Sequence, residues 1–166
     1  MSRISSEILT GAEARVRAMG LTQKERLADD LHREQPHVLA SFMAQQGLGV
    51  SDAKMEFLIE LMLVCYQAMK DSGATWPLIT EDDQERELAR WAASMRIEEE
   101  LSERQRTQVL KRYIDAHPEK ALFAHVHFEV NEWLLRVEPE ESDKYVAMVA
   151  INFVNCIAFV APRVPS

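Results

Sequence analysis

The sequence predicts an all-α fold, a bundle of seven to eight helices. Three observations lead there. Apolar residues recur at spacings of three and four along most of the chain, which places them on one face of a helix. The five glycines and six prolines fall mostly where those periodic stretches stop. Two runs, Met55 to Tyr66 and Tyr145 to Ala161, are apolar on nearly every face, a pattern that belongs to helices at the centre of a bundle.

The elements follow in order. Ile4, Ile8, Ala12, Val16 and Met19 make the stripe of a first helix that stops at Gly20. Thr22 and Glu25 stand at capping-box spacing for a second helix, whose stripe is Leu27, Ala28 and Leu31. Pro36 suits the first turn of a third, because its missing amide hydrogen is not needed there. Val38, Leu39, Phe42 and Met43 supply the buried face, and Gly47 and Gly49 end it. Ser51 caps a long fourth helix, in which Glu60 is the lone charge of the apolar run and needs a partner or a route to water.

Ala74 to Ile79 reads as a loop whose Trp76 packs back on the bundle. Thr80 with Asp83, and Ser102 with Gln105, cap helices five and six. Pro118 is expected to begin helix seven, and Pro139 or Ser142 the last one. Pro162 and Pro165 close the chain with a loose tail.

Certain landmarks occur twice. Leu21-Thr22 and Leu101-Ser102 each open a charged amphipathic stretch, ending at Gln35-Pro36 and His117-Pro118, and an apolar run follows each. The expectation is one domain over residues 1–166, with an internal repeat of 4–73 and 80–160. The two four-helix halves would be pseudo-symmetric and packed through helices 52–70 and 141–160, each of which alone would expose its apolar sides to water. Low identity between the halves leaves open that they merely share generic caps and stripes.

Composition narrows the function. The net charge is −8, with acids clustered at Glu81 to Glu85, Glu98 to Glu100 and Glu138 to Glu141. Such clusters repel a phosphate backbone, so no nucleic acid is expected as partner. The run from Tyr145 to Ala161 is 17 uncharged residues long and contains Asn152 and Asn155, which suits a buried helix better than a membrane span. The start of the sequence lacks the basic-then-apolar pattern of a secretion signal. Cys65 and Cys156 lie inside the apolar runs, as buried thiols do in a reducing compartment, so the expected location is cytoplasmic.

Catalytic patterns are missing: there is no HExxH, no CxxC and no phosphate loop at Gly47-Leu48-Gly49. The histidines fall in two groups, and His125 shares a helical face with Glu129, three residues before Glu132. Glu34 and His37 stand at the offset used by carboxylate–histidine metal sites in helical bundles. That spacing occurs once and beside a proline, so His37, Glu34, His125, Glu129 and Glu132 form a metal alternative, while no cofactor is the main expectation. For recognition, Trp76 in its loop, the acids Glu81, Asp82 and Asp83, and the basic Arg104 and Arg106 are the candidate contacts.

The reading is a protein that acts through protein–protein interaction, as an adaptor, an inhibitor of immunity type, or a chaperone-like molecule, with an enzyme as the competing class rather than the main expectation. Its partner would be another protein or itself, including as a homodimer. It predicts an apolar patch rimmed by acids, near Trp76 or Glu81 to Glu87. The alternatives are a metal or small-molecule site between the halves, and a structural homo-oligomer.

Overall fold

The computed structural model describes residues 2–160, without the side chains of residues 97 and 98, and contains eight helices and no strand among them. The helices are α1 (Ser6–Ala18), α2 (Leu21–Glu34), α3 (Pro36–Gly47), α4 (Asp52–Asp71), α5 (Glu81–Glu98), α6 (Glu103–Ala116), α7 (Lys120–Arg136) and α8 (Asp143–Phe159). The all-α bundle expected from periodicity is therefore the fold. The tail with Pro162 and Pro165 lies outside the described residues.

Local chemistry sets most of the boundaries. The Ile8 N–H donates to Ser5 Oγ (3.2 Å), and the Lys54 N–H to Ser51 Oγ (3.4 Å). Thr80 and Asp83 exchange hydrogen bonds of 3.1 and 2.9 Å, and Ser102 and Gln105 do so at 3.3 and 2.9 Å. Each pair satisfies amides that a helix start leaves without partners. Pro36 stands at the start of α3, and Gly49 follows that helix with a φ of 97°, a left-handed conformation that a side chain disfavours.

Two expected starts differ. Thr22 and Glu25 do not form a capping box. Gly20 takes the extended cap conformation, so α2 begins one residue earlier than Thr22, and Gln23 Oε1 accepts the Gly20 N–H (3.2 Å). Pro118 does not begin α7 either. Glu119 occupies the cap, and the helix starts at Lys120 because the Glu119 carboxylate is drawn into the bundle.

The core is built on α4 and α8. Leu58, Met62, Leu63, Cys65, Tyr66 and Ala68 of α4 are almost fully buried, as are Val146, Val154, Cys156 and Ile157 of α8. The two helices touch, as expected for 52–70 and 141–160, yet each is covered mainly by its own neighbours. α1 lies along α4, and α5 and α7 lie along α8. α3 packs on both α4 and α8, so it bridges the first four helices and the last. The packing repeats in part, with α2 on α3 matched by α6 on α7, and α3 on α4 by α7 on α8.

The thiols of Cys65 and Cys156 are free and buried, and burial pushes each up to about 12. Neither is thus a thiolate nucleophile at neutral pH. Glu60, the charge inside the apolar run, reaches Lys24 Nζ at 2.7 Å.

Two polar junctions pin the ends of α8. At its start, Lys54 Nζ donates to Asp143 Oδ1 (2.6 Å) and to the Glu138 carbonyl (2.9 Å). Burial pushes the Asp143 carboxyl up, but Lys54 and the Glu140 N–H outweigh it and hold it below its usual value. At its other end, Glu119 is 1% exposed and accepts the backbone N–H groups of Arg3 (3.0 Å) and Ile4 (3.1 Å). Arg3 in turn donates to the Ile157 carbonyl (2.6 Å), and so does Trp76 Nε1 (2.9 Å). Carbonyls in the last turn of a helix lack partners inside it, so these donors close the end of α8. His117 Nδ1 accepts the Glu119 N–H (3.1 Å), which leaves Nε2 to donate to Asn155 Oδ1 (3.0 Å). Burial lowers the His117 pKa below its usual value, with the Asn155 hydrogen bond opposing.

Two outcomes follow for stability. Leu58→Ala, at a fully buried position, is expected to cost about 2–5 kcal/mol in urea unfolding. Leu135→Ala, at a position 81% exposed, should change it by less than about 0.5 kcal/mol. The melting temperature should also fall in two stages on acidification. A folded-state pKa below the unfolded one means that the unfolded chain takes up protons first, so stability drops with falling pH. His117 contributes stability that is present above 6.5 and is lost below it, and Asp143 does the same from 3.8 downward. His117→Gln should flatten the first stage and keep the second.

Candidate functional site

α3 and α5 both pack on α8, and an open groove of about 600 Å³ lies where the three meet. Its lining follows helical spacing on each element. α3 contributes His37, Ala40, Ser41, Ala44 and Gln45, with Leu48 at its end, α5 contributes Glu81, Gln84, Glu85 and Leu88, and α8 contributes Tyr145, Met148, Val149 and Asn152. Every set repeats at three and four residues, so one face of each helix is presented. Between His37 and Gln45 the α3 face carries the small residues Ala40, Ser41 and Ala44, which fill little of this space. From Ala40 to Leu48 is roughly 12 Å at a rise of about 1.5 Å per residue, the length of two helical turns.

The groove is apolar within and acidic on one wall. Leu48 is 53% exposed and Met148 37%, both large apolar side chains in contact with water. Glu81 and Glu85 of α5 are exposed along the other side, and His37 Nδ1 faces Glu81 Oε1 across the mouth at 3.9 Å. The remaining polar feature is Asn152. Its Nδ2 donates to the Gln84 carbonyl (3.0 Å), while its Oδ1 is buried and accepts no hydrogen bond from the described residues. A buried acceptor without a donor is costly and rare in native proteins.

The residues singled out from the sequence scatter with respect to this groove. Glu81 lines it, and Asp82 is exposed beside it on the same turn of α5. Asp83 is buried instead. Burial pushes its carboxyl up, but the Thr80 hydrogen bonds and the Arg86 guanidinium hold it below the usual value. Trp76 is half-buried and packed inward, with Arg3 4.4 Å above its ring. Arg104 and Arg106 lie exposed on α6, which lines no part of the groove.

The metal alternative is also rearranged. Glu34 accepts the Tyr66 hydroxyl (2.5 Å) and His37 faces Glu81, so these two do not converge. Glu132 is exposed. His125 and Glu129 do converge, but with Glu13 of α1, their ligating atoms all within 4.8 Å of one another. Sequence reasoning missed Glu13, Leu48, Leu88 and the orphaned Asn152 as site residues, and it read Met148 first as core. Periodicity marks which residues share a face of one helix, and these positions matter through a neighbouring helix.

A second pocket, about 270 Å³, lies between Glu87, Arg90, Trp91, Tyr113, Asn155 and Phe159. The Arg90 guanidinium sits 4.5 Å over the Phe159 ring and bonds Glu87 Oε2 (3.1 Å), so the protein's own cation fills the aromatic side. Among the described residues, no helix is long and apolar enough to cross a membrane. Compared with known proteins, the chain matches no family model, no curated protein and no solved structure at a significant level.

Proposed function

We propose that the protein is an interaction module and that the groove between α3, α5 and α8 is its docking face for a basic amphipathic helix of a partner protein. The observation that carries this reading is the open apolar groove with Leu48 and Met148 exposed inside it and Glu81 and Glu85 on one wall. Helices dock by laying an apolar face into such a groove. A groove two turns long takes anchors at spacings of three, four and seven. The acidic wall fixes orientation, since lysine or arginine beside those anchors meets the carboxylates on one side only. A net charge of −8 favours approach of a cationic partner. Asn152 Oδ1 supplies a buried acceptor for a donor on the incoming helix, reached by a small shift of the side chains around it.

The test uses two synthetic helical peptides with the same apolar face, one lysine- and arginine-rich and one glutamate-rich, titrated into the isotope-labelled full chain. The cationic peptide should bind, shift the amide signals of Leu48, Leu88, Met148 and Asn152, and weaken as salt is added. Replacing both rim acids, Glu81→Gln with Glu85→Gln, should cost up to about 1 kcal/mol per charge. Equal binding of the two peptides, or shifts centred on another face, would overturn the reading. Self-association through the groove, seen as a light-scattering mass doubled by wild type and not by Leu48→Glu, would replace the partner helix with a second copy.

Asn152→Leu separates function from stability. It removes a buried acceptor that no described residue satisfies, so thermal unfolding should lose no more than about 1 kcal/mol and peptide binding should weaken. A large loss of stability with binding intact would make Asn152 a structural residue alone.

A further inference from the structure

We propose that Glu13, His125 and Glu129 form a binding site for a first-row divalent cation of the zinc type, which ties α1 to α7. The site is separate from the groove and stands independently of the docking reading. α1 and α7 pack together, and His125 and Glu129 lie one turn apart on α7, so both face Glu13 across that contact.

The donor set suits such an ion. One imidazole and two carboxylates match the nitrogen and oxygen ligands of zinc, and three protein ligands leave a fourth position for water. Glu13 Oε2 stands 4.0 Å from His125 Nε2, and all three ligating atoms lie within 4.8 Å. Ligand atoms around a tetrahedral zinc are about 3.4 Å apart, so binding requires closure by roughly 1 Å, within the reach of glutamate rotamers.

Two features set this cluster apart from ordinary surface acids. The side chains are sheltered, with His125 17% and Glu13 21% exposed. Arg17 holds the other Glu13 oxygen, Oε1, at 2.5 Å and leaves Oε2 turned to His125. Metal-binding carboxylates are oriented by just such outer partners. Arg17 is a positioning residue here, since it acts on the ion only through Glu13.

The experiment uses the tag-free full chain, stripped with a chelator and titrated with Co²⁺, whose visible absorption reports nitrogen and oxygen coordination, and then with Zn²⁺ in competition. The expected result is one saturable Co²⁺ site, displaced by Zn²⁺, and a higher melting temperature with the ion bound. His125→Ala and Glu129→Gln should each weaken binding at least tenfold, and Arg17→Gln about tenfold, through loss of orientation. Circular dichroism of the metal-free variants checks that they fold. Paramagnetic broadening by Co²⁺ in the wild-type chain gives an answer that needs no variant, and it should centre on Glu13, His125 and Glu129. No saturable Co²⁺ signal, or broadening centred elsewhere such as His37 and Glu81, would overturn the site.

Discussion

Two helices that cannot face water organise this protein. α4 and α8 carry apolar side chains around most of their circumference, and burying such surface is the main favourable term in folding. A single row of covering helices cannot shelter both. α1 and α3 therefore cover α4, α5 and α7 cover α8, and α3 reaches across to both. The burial of any one of these helices depends on the presence of the others.

Burying α8 also buries its ends, and unsatisfied helix ends are expensive. The chain answers with groups far away in sequence. Lys54 from α4 meets Asp143, while Arg3 and Trp76 meet the Ile157 carbonyl. Glu119 holds the backbone of Arg3 and Ile4 with a carboxylate that is itself hidden from water. Against so complete a set of polar partners, the bare Oδ1 of Asn152 is an exception, and it occurs where the covering helices leave α8 partly open. The small residues of α3 and the acids of α5 meet at that same opening. A buried acceptor without a donor costs stability at that opening.

Much of the fold was legible in the sequence, because helix faces and caps are local. The stripe of α4, the boxes at Thr80 and Ser102, and the start of α3 at Pro36 all follow from residues within a few positions of one another. The failures at Thr22 and Pro118 have a shared cause. Gly20 took the cap conformation first, and a contact to Glu119 from more than a hundred residues away moved the start of α7. The site was less legible for the same reason. Glu81 could be flagged by its charge, but Met148 looks like a core residue on its own helix and Leu48 lies between two glycines at the end of α3, and both stay partly exposed along the groove. Glu13 likewise joins His125 and Glu129 only once α1 lies beside α7. The packing of the first four helices repeats only in part in the last four, and the internal repeat stays an expectation from the sequence landmarks alone.

Native-state hydrogen exchange of the full chain tests the organising claim most directly. If α4 and α8 are the mutually dependent centre, the amides of Leu58 to Cys65 and of Ala150 to Val154 should exchange only through global unfolding, with equal free energies of opening in the two helices. Fast exchange in either helix while the other stays protected would contradict the account, because it would show that one can open without the other.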